Sequence, residues 1–151
     1  MHHNESASSR MQLFRLIYIS AATHTMTRPE TLAWLTSARA HNAKRDITGI
    51  LLYKDGAFMQ MLEGTELAVR ALYARIKTDP RHEGVVLVAQ EAINTREFSE
   101  WSMAFRDLNL SAAAGPAGYS DFLNITFHNI AFWKQPNRCQ EMMLTLRAGL
   151  A

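Results

Sequence analysis

Residues 47–64, ITGILLYKDGAFMQMLEG, place two strongly apolar runs on either side of Lys54-Asp55-Gly56. A short glycine-bearing break between two such runs predicts a β-hairpin. Side chains alternate along a strand, so Ala57, Met59, Met61 and Glu63 share one face and Phe58, Gln60 and Leu62 the other. Gln60 is the anomaly of that row. A buried amide left without a partner costs about 1–3 kcal/mol, so the fold must bring something polar to it.

The hairpin fixes the reading of its neighbours. Upstream, LFRLIYI (13–19) reads as a first strand. TRPE (27–30) has the form of a capping box, with Thr27 as N-cap and Glu30 three residues later. The helix it opens carries Thr31, Leu35, Ala38 and Asn42 along one side. Downstream, a second helix is expected over about 65–78, with Val69, Leu72, Tyr73 and Ile76 as its apolar stripe and Pro80 stopping it. VVLVA (85–89) is apolar on both faces and reads as a central strand, and WSMAFRDL (101–108) as a last one.

The order β-α-β-β-α-β plus a fifth strand predicts an α+β, ferredoxin-like fold with a five-stranded mixed sheet. Right-handed crossovers put both helices on one face. Ile17, Ile19, Met59 and Met61 would then lie bare on the other. After a linker at 112–118, two helices are expected to cover them. Ser120 caps the first, bearing Leu123, Phe127 and Ile130, and Pro136 opens the second, with Cys139, Met142, Met143 and Leu146. The domain reading is a flexible tail over 1–10, one domain over 11–110 and a helical extension over 111–151.

Composition sets the remaining bounds. The 151 residues suit one core, and 48% hydrophobic with 20% charged residues is an ordinary globular balance. A net charge of +2 with scattered basic residues offers no nucleic-acid stripe. One cysteine, Cys139, excludes an internal disulfide framework and fits a reducing compartment. No apolar stretch approaches a membrane span, and MHHNESASSR has no apolar segment of a signal peptide. A cytoplasmic protein is expected. His2-His3 is a pair in a polar tail, and no metal site is assigned.

If Tyr18 faces the helices, it joins Gln60 and Asn42 beneath the groove between them. Two readings stay open at this level: a buried network in which the three satisfy one another, or the floor of a binding site. No nucleophile stands beside a base and no carboxylate pair has helical spacing, so no turnover chemistry is expected.

LIYIS (16–20), His41-Asn42, ITGILLY (47–53), GAFMQMLEG (56–64), DPRH (79–82) and REFSEWSM (96–103) follow the order and spacing of the BLUF family. The chain resembles those flavin-using blue-light sensors over about 13–108, and its tail is similar to that of short members without an enzymatic output domain. The resemblance implies a photoreceptor that is not an enzyme. It holds FAD, FMN or riboflavin, with Trp34 and Ile76 flanking the ring faces and Asn42 at the polar edge. Gln60 would stand between Tyr18 and the flavin. His41, Asp79, Arg81 and His82 would lie at the ribityl and phosphate end. Tyr18 would donate an electron and proton through Gln60, which ends rotated or tautomerised, and Trp101 or Met103 would carry the signal onward. Trp34 stands where members often have isoleucine, and Ala38 where some have serine. A separate output protein, a regulator or a cyclic-nucleotide enzyme, is implied, along with a homo-oligomer. The rival readings are a flavin-free interaction module and an acylphosphatase-like hydrolase using Arg15 and Asn42. The hydrolase lacks a glycine-rich phosphate loop, because SAATHTMT after the first strand has no glycine.

Overall fold

The computed structural model describes residues 12–54, 56–107 and 141. Apart from Glu141, the expected cover helices, from Ser120 through Leu146, lie outside these residues, as does the 1–10 tail. The elements are β1 (Leu13–Ala22), α1 (Arg28–Lys44), β2 (Thr48–Lys54), β3 (Ala57–Thr65), α2 (Glu66–Thr78), β4 (His82–Ile93) and β5 (Ala104–Asp107). They form the α+β ferredoxin-like arrangement, with sheet order β4-β1-β3-β2-β5. Among the described residues only the β2–β5 pairing is parallel.

Local chemistry sets the element boundaries. Thr27 caps α1: its hydroxyl accepts from the Glu30 N–H at 3.2 Å, and it donates to Glu30 Oε1 at 3.1 Å. Thr65 caps α2 by accepting from the Ala68 N–H. In the hairpin Lys54 pairs with Ala57, and Gly56 supplies the positive φ of 77° that the turn requires. Gly49 serves a different need, since a Cβ there would stand 1.9 Å from the Met61 carbonyl oxygen.

The core under the helices gathers Phe14, Leu16, Tyr18, Leu35, Leu51, Phe58, Leu62 and Val69. On the opposite face Ile17, Ile19, Met59 and Met61 are also buried, at 2, 1, 0 and 0% exposure.

Two expectations are corrected. VVLVA is not a central strand: among the described residues β4 lies at the sheet edge and pairs only with β1. The hairpin strand β3 already occupies the other side of β1, so the chain returning from α2 has only the outer position open. Val86 is accordingly 36% exposed, and the exposed Glu83 and Glu91 mark the edge. The last strand begins at Ala104, so Trp101, Ser102 and Met103 form the turn leading into it.

Candidate functional site

Tyr18 and Gln60 are register partners across the central β1–β3 ladder. Both side chains face the helices. The Tyr18 hydroxyl donates to Gln60 Oε1, and Gln60 Nε2 donates to the Met103 sulfur at 3.2 Å. A thioether is a weak acceptor, so one end of the Gln60 amide is firmly held and the other only lightly. Tyr18 is fully enclosed, and burial pushes its phenol well above the ordinary tyrosine range. It therefore stays protonated at any physiological pH.

Above Gln60 a groove of about 670 Å³ opens between α1 and α2. Trp34 and Ala38 line it from α1, and Leu72 and Ile76 from α2. Gln60 and Asn42 supply polar groups within it. Asn42 is 2% exposed, at the C-terminal end of α1. Its Nδ2 donates to the Ser102 carbonyl at 2.9 Å, leaving a second N–H and the amide oxygen for a ligand. A flat ring with apolar faces and a polar edge fits this lining.

One end of the groove holds Asp79, Arg81 and His82. Arg81 grips Asp79 through two bonds, at 3.0 and 2.6 Å, which hold the Asp79 carboxyl below its usual range. The Arg81 guanidinium also lies 5.4 Å from the Trp34 ring centroid. His82 is 7% exposed and bonds Ser20 Oγ at 2.8 Å through Nδ1. Burial lowers its pKa, outweighing the attraction of Asp79. His41 also lines the groove, near the C-terminal end of α1.

The four residues expected at the ring and the four expected at its ribityl and phosphate end thus line one groove, Tyr18 sits beneath it, and Met103 rather than Trp101 touches Gln60. Met103 is 1% exposed, while Trp101 packs beside Phe98 with ring centroids 6.2 Å apart. Arg15, the hydrolase reading's second residue, pairs instead with Glu91 of β4.

Sequence reasoning missed what positions Met103. Glu63, fully buried, accepts from Thr48 Oγ1 at 3.1 Å and from the backbone N–H groups of Glu97 and Phe98 at 2.6 and 2.9 Å. That carboxylate moors the segment leading to Met103 to β3. Arg39 of α1 then donates to the Met103 carbonyl at 2.9 Å. The signal for Glu63 was visible, a carboxylate ending the row Ala57, Met59, Met61. For Arg39 there was none. Among the described residues no group of three or more His, Cys, Asp or Glu side chains could hold a metal, and no helix is long and apolar enough to cross a membrane.

Comparison with known proteins adds four findings. Residues 13–104 match the family described as "BLUF: Sensors of blue-light using FAD". Photoactivated adenylate cyclase subunit beta of Euglena gracilis is 42% identical over 99 residues, which cover 65% of this chain and 12% of that protein. The chain therefore spans about an eighth of that relative's length. Among solved structures, the dark state of BlrB, a BLUF protein, matches with a TM-score of 0.77 and 28% identity over 93% of this chain and 99% of that one. BlrP1 of Klebsiella pneumoniae, with FMN and cyclic diGMP, matches with a TM-score of 0.61 and 37% identity over 65% of this chain and 26% of that one.

Proposed function

The chain belongs to the family of sensors of blue light using FAD, and we propose that Tyr18 and Gln60 are its light switch. It is a flavin-binding photosensor; the roles of individual residues are our reading. The observation that carries it is the pairing of a buried tyrosine hydroxyl with a glutamine that opens onto the interhelical groove.

In this reading Trp34 and Ile76 flank the ring, and Asn42 meets its polar edge. Asp79, Arg81, His82 and His41 hold the groove ends. A bound flavin supplies blue-light absorption and, once excited, an electron acceptor. Tyr18 gives up one electron, which makes its hydroxyl strongly acidic, and the proton leaves along the existing bond to Gln60 Oε1. Electron and proton then return to Tyr18. Gln60 is left rotated or tautomerised, with its donor and acceptor ends exchanged. The Gln60–Met103 contact is broken in the process, and the Met103 turn is released from β3. That turn is the two-state element the light biases.

The relatives named as photoactivated adenylate cyclase subunits support an output carried by other protein segments. We propose that this chain acts on a separate output protein, a regulator or a cyclic-nucleotide enzyme, as a homo-oligomer in the cytoplasm.

The test is an absorption spectrum of the full chain before and after blue light. A flavin band that shifts reversibly to longer wavelength is expected. A chain that stays colourless after incubation with FAD, or a flavin band that does not move, contradicts the reading.

A further inference from the structure

A second pocket, of about 300 Å³, lies where the first turn of α1 meets β2, β3 and β5. Its walls are Tyr53 of β2, Phe58 of β3 and Phe105 of β5, with Met26 and Leu32 on the α1 side. No described residue lines both this pocket and the flavin groove.

The lining selects a ligand by shape and by charge. Tyr53 and Phe58 are register partners with ring centroids 5.1 Å apart, tilted by 44°. Tilted and edge-on contacts of this kind, together with a thioether, receive a flat aromatic ring. Leu32 is 53% exposed, so the pocket keeps apolar surface in contact with water. Its one charged lining residue is Arg28, the first residue of α1, where the helix end is itself positive. Among the described residues no carboxylate pairs with Arg28. Glu30, the acid of that first turn, bonds Thr27 and His24 instead. An unmatched planar guanidinium beside an aromatic pocket fits a carboxylate carried on a ring. The volume is at the small end of ligand pockets and limits the ligand to one or two rings.

We propose that this pocket binds a small aromatic carboxylate, and that Phe58 carries its occupancy to the flavin groove. Phe58 is buried, lines the pocket and meets the Trp34 ring edge-on at 5.4 Å, and Trp34 lines the flavin groove. A ligand that turns Phe58 therefore displaces a wall of that groove. The carboxylate becomes a chemical input beside light, and each input alters the response to the other. The site stands apart from the flavin reading; the coupling rests on it.

The experiment titrates the full chain, incubated with FAD and kept dark, by calorimetry with three probes. Indole-3-acetate has rings and charge, indole-3-acetamide lacks the charge, and octanoate lacks the rings. Indole-3-acetate is expected to saturate with a Kd below about 1 mM, and the other two to bind at least about tenfold more weakly. Arg28→Met should weaken indole-3-acetate similarly, and Arg28→Lys should recover part. Leu32→Glu sets a carboxylate one helical turn from Arg28 and should abolish binding. Both side chains are exposed, so neither change threatens the core. At saturation, recovery of the dark spectrum after blue light should change at least about twofold in the parent and not in Leu32→Glu. Absence of saturation, equal binding of the three probes, or binding that neither Arg28→Met nor Leu32→Glu weakens overturns the site. Self-association that Leu32→Glu abolishes, with no probe bound, gives the pocket to a second copy and also overturns it. Saturable binding with unchanged recovery overturns the coupling alone. Failure of the flavin reading is distinguishable: the chain stays colourless, the coupling falls with it, and calorimetry still decides the site.

Discussion

The Tyr18 hydroxyl donates to Gln60 Oε1 between residues that face each other across the central ladder of the sheet. Their backbones are fixed by strand pairing on both sides, since β1 lies between β4 and β3, and β3 between β1 and β2. Only side-chain torsions remain free at this pair. A change in its hydrogen bonding therefore has to appear in what Gln60 touches next, which is Met103.

Glu63 should prove essential to that relay without touching the groove. Glu63→Leu removes the acceptor of the buried Phe98 N–H, of the half-buried Glu97 N–H and of Thr48. A loss of about 2–4 kcal/mol in unfolding free energy is expected, since each charged hydrogen bond contributes about 1.5–3 kcal/mol and leucine recovers part through apolar burial. Urea denaturation checks this. A loss under about 0.5 kcal/mol, the size of a typical surface change, would show that the carboxylate is not a mooring.

Removing the segment after residue 107 should expose the back of the sheet. Ile17, Ile19, Met59 and Met61 are buried there, although α1 and α2 pack on the other face. The truncated chain should aggregate or bind a hydrophobic dye strongly while its groove keeps the residues for flavin. Light scattering and dye fluorescence check this. A monodisperse truncation with unchanged stability would show that the segment does not cover that face.

Acid should destabilise the protein through His82. Burial places its folded pKa below the ordinary histidine value, with Asp79 opposing and Arg81 assisting the shift. The unfolded chain then binds the extra proton first. Stability is full above about pH 6.5, the unfolded value, and falls as pH drops toward the lower folded value. Thermal midpoints between pH 7.5 and 5.5 should decline, and His82→Gln should flatten the decline. An equal slope in His82→Gln would assign it to other groups.

Local chemistry made much of this fold legible. The capping box, the hairpin and the strand alternation that puts Gln60 opposite the methionines all depend on neighbours in sequence. Tyr18, Asn42 and Gln60 were legible as a cluster because each is polar at a position its period buries. The edge position of β4 was not, because VVLVA looks alike in a central and a partly covered strand, and only the crossover decides. The start of β5 was misplaced because Trp101 and Met103 alternate as a strand would, while Glu63 holds the approach to them as a turn. Arg39 left no trace at all, since a lone arginine on an exposed helix face carries no pattern.

The most direct test of the account compares light-minus-dark absorption of the parent chain, Tyr18→Phe and Gln60→Leu. Phenylalanine keeps the ring and loses the hydroxyl; leucine keeps the apolar volume and loses the amide. Both variants should retain flavin and lack the lasting shift to longer wavelength that the parent shows. Transient bleaching in Tyr18→Phe is compatible with the account, because Trp34 lines the same groove and can donate an electron without moving Gln60. A lasting red-shifted product in either variant, equal to that of the parent, would contradict it.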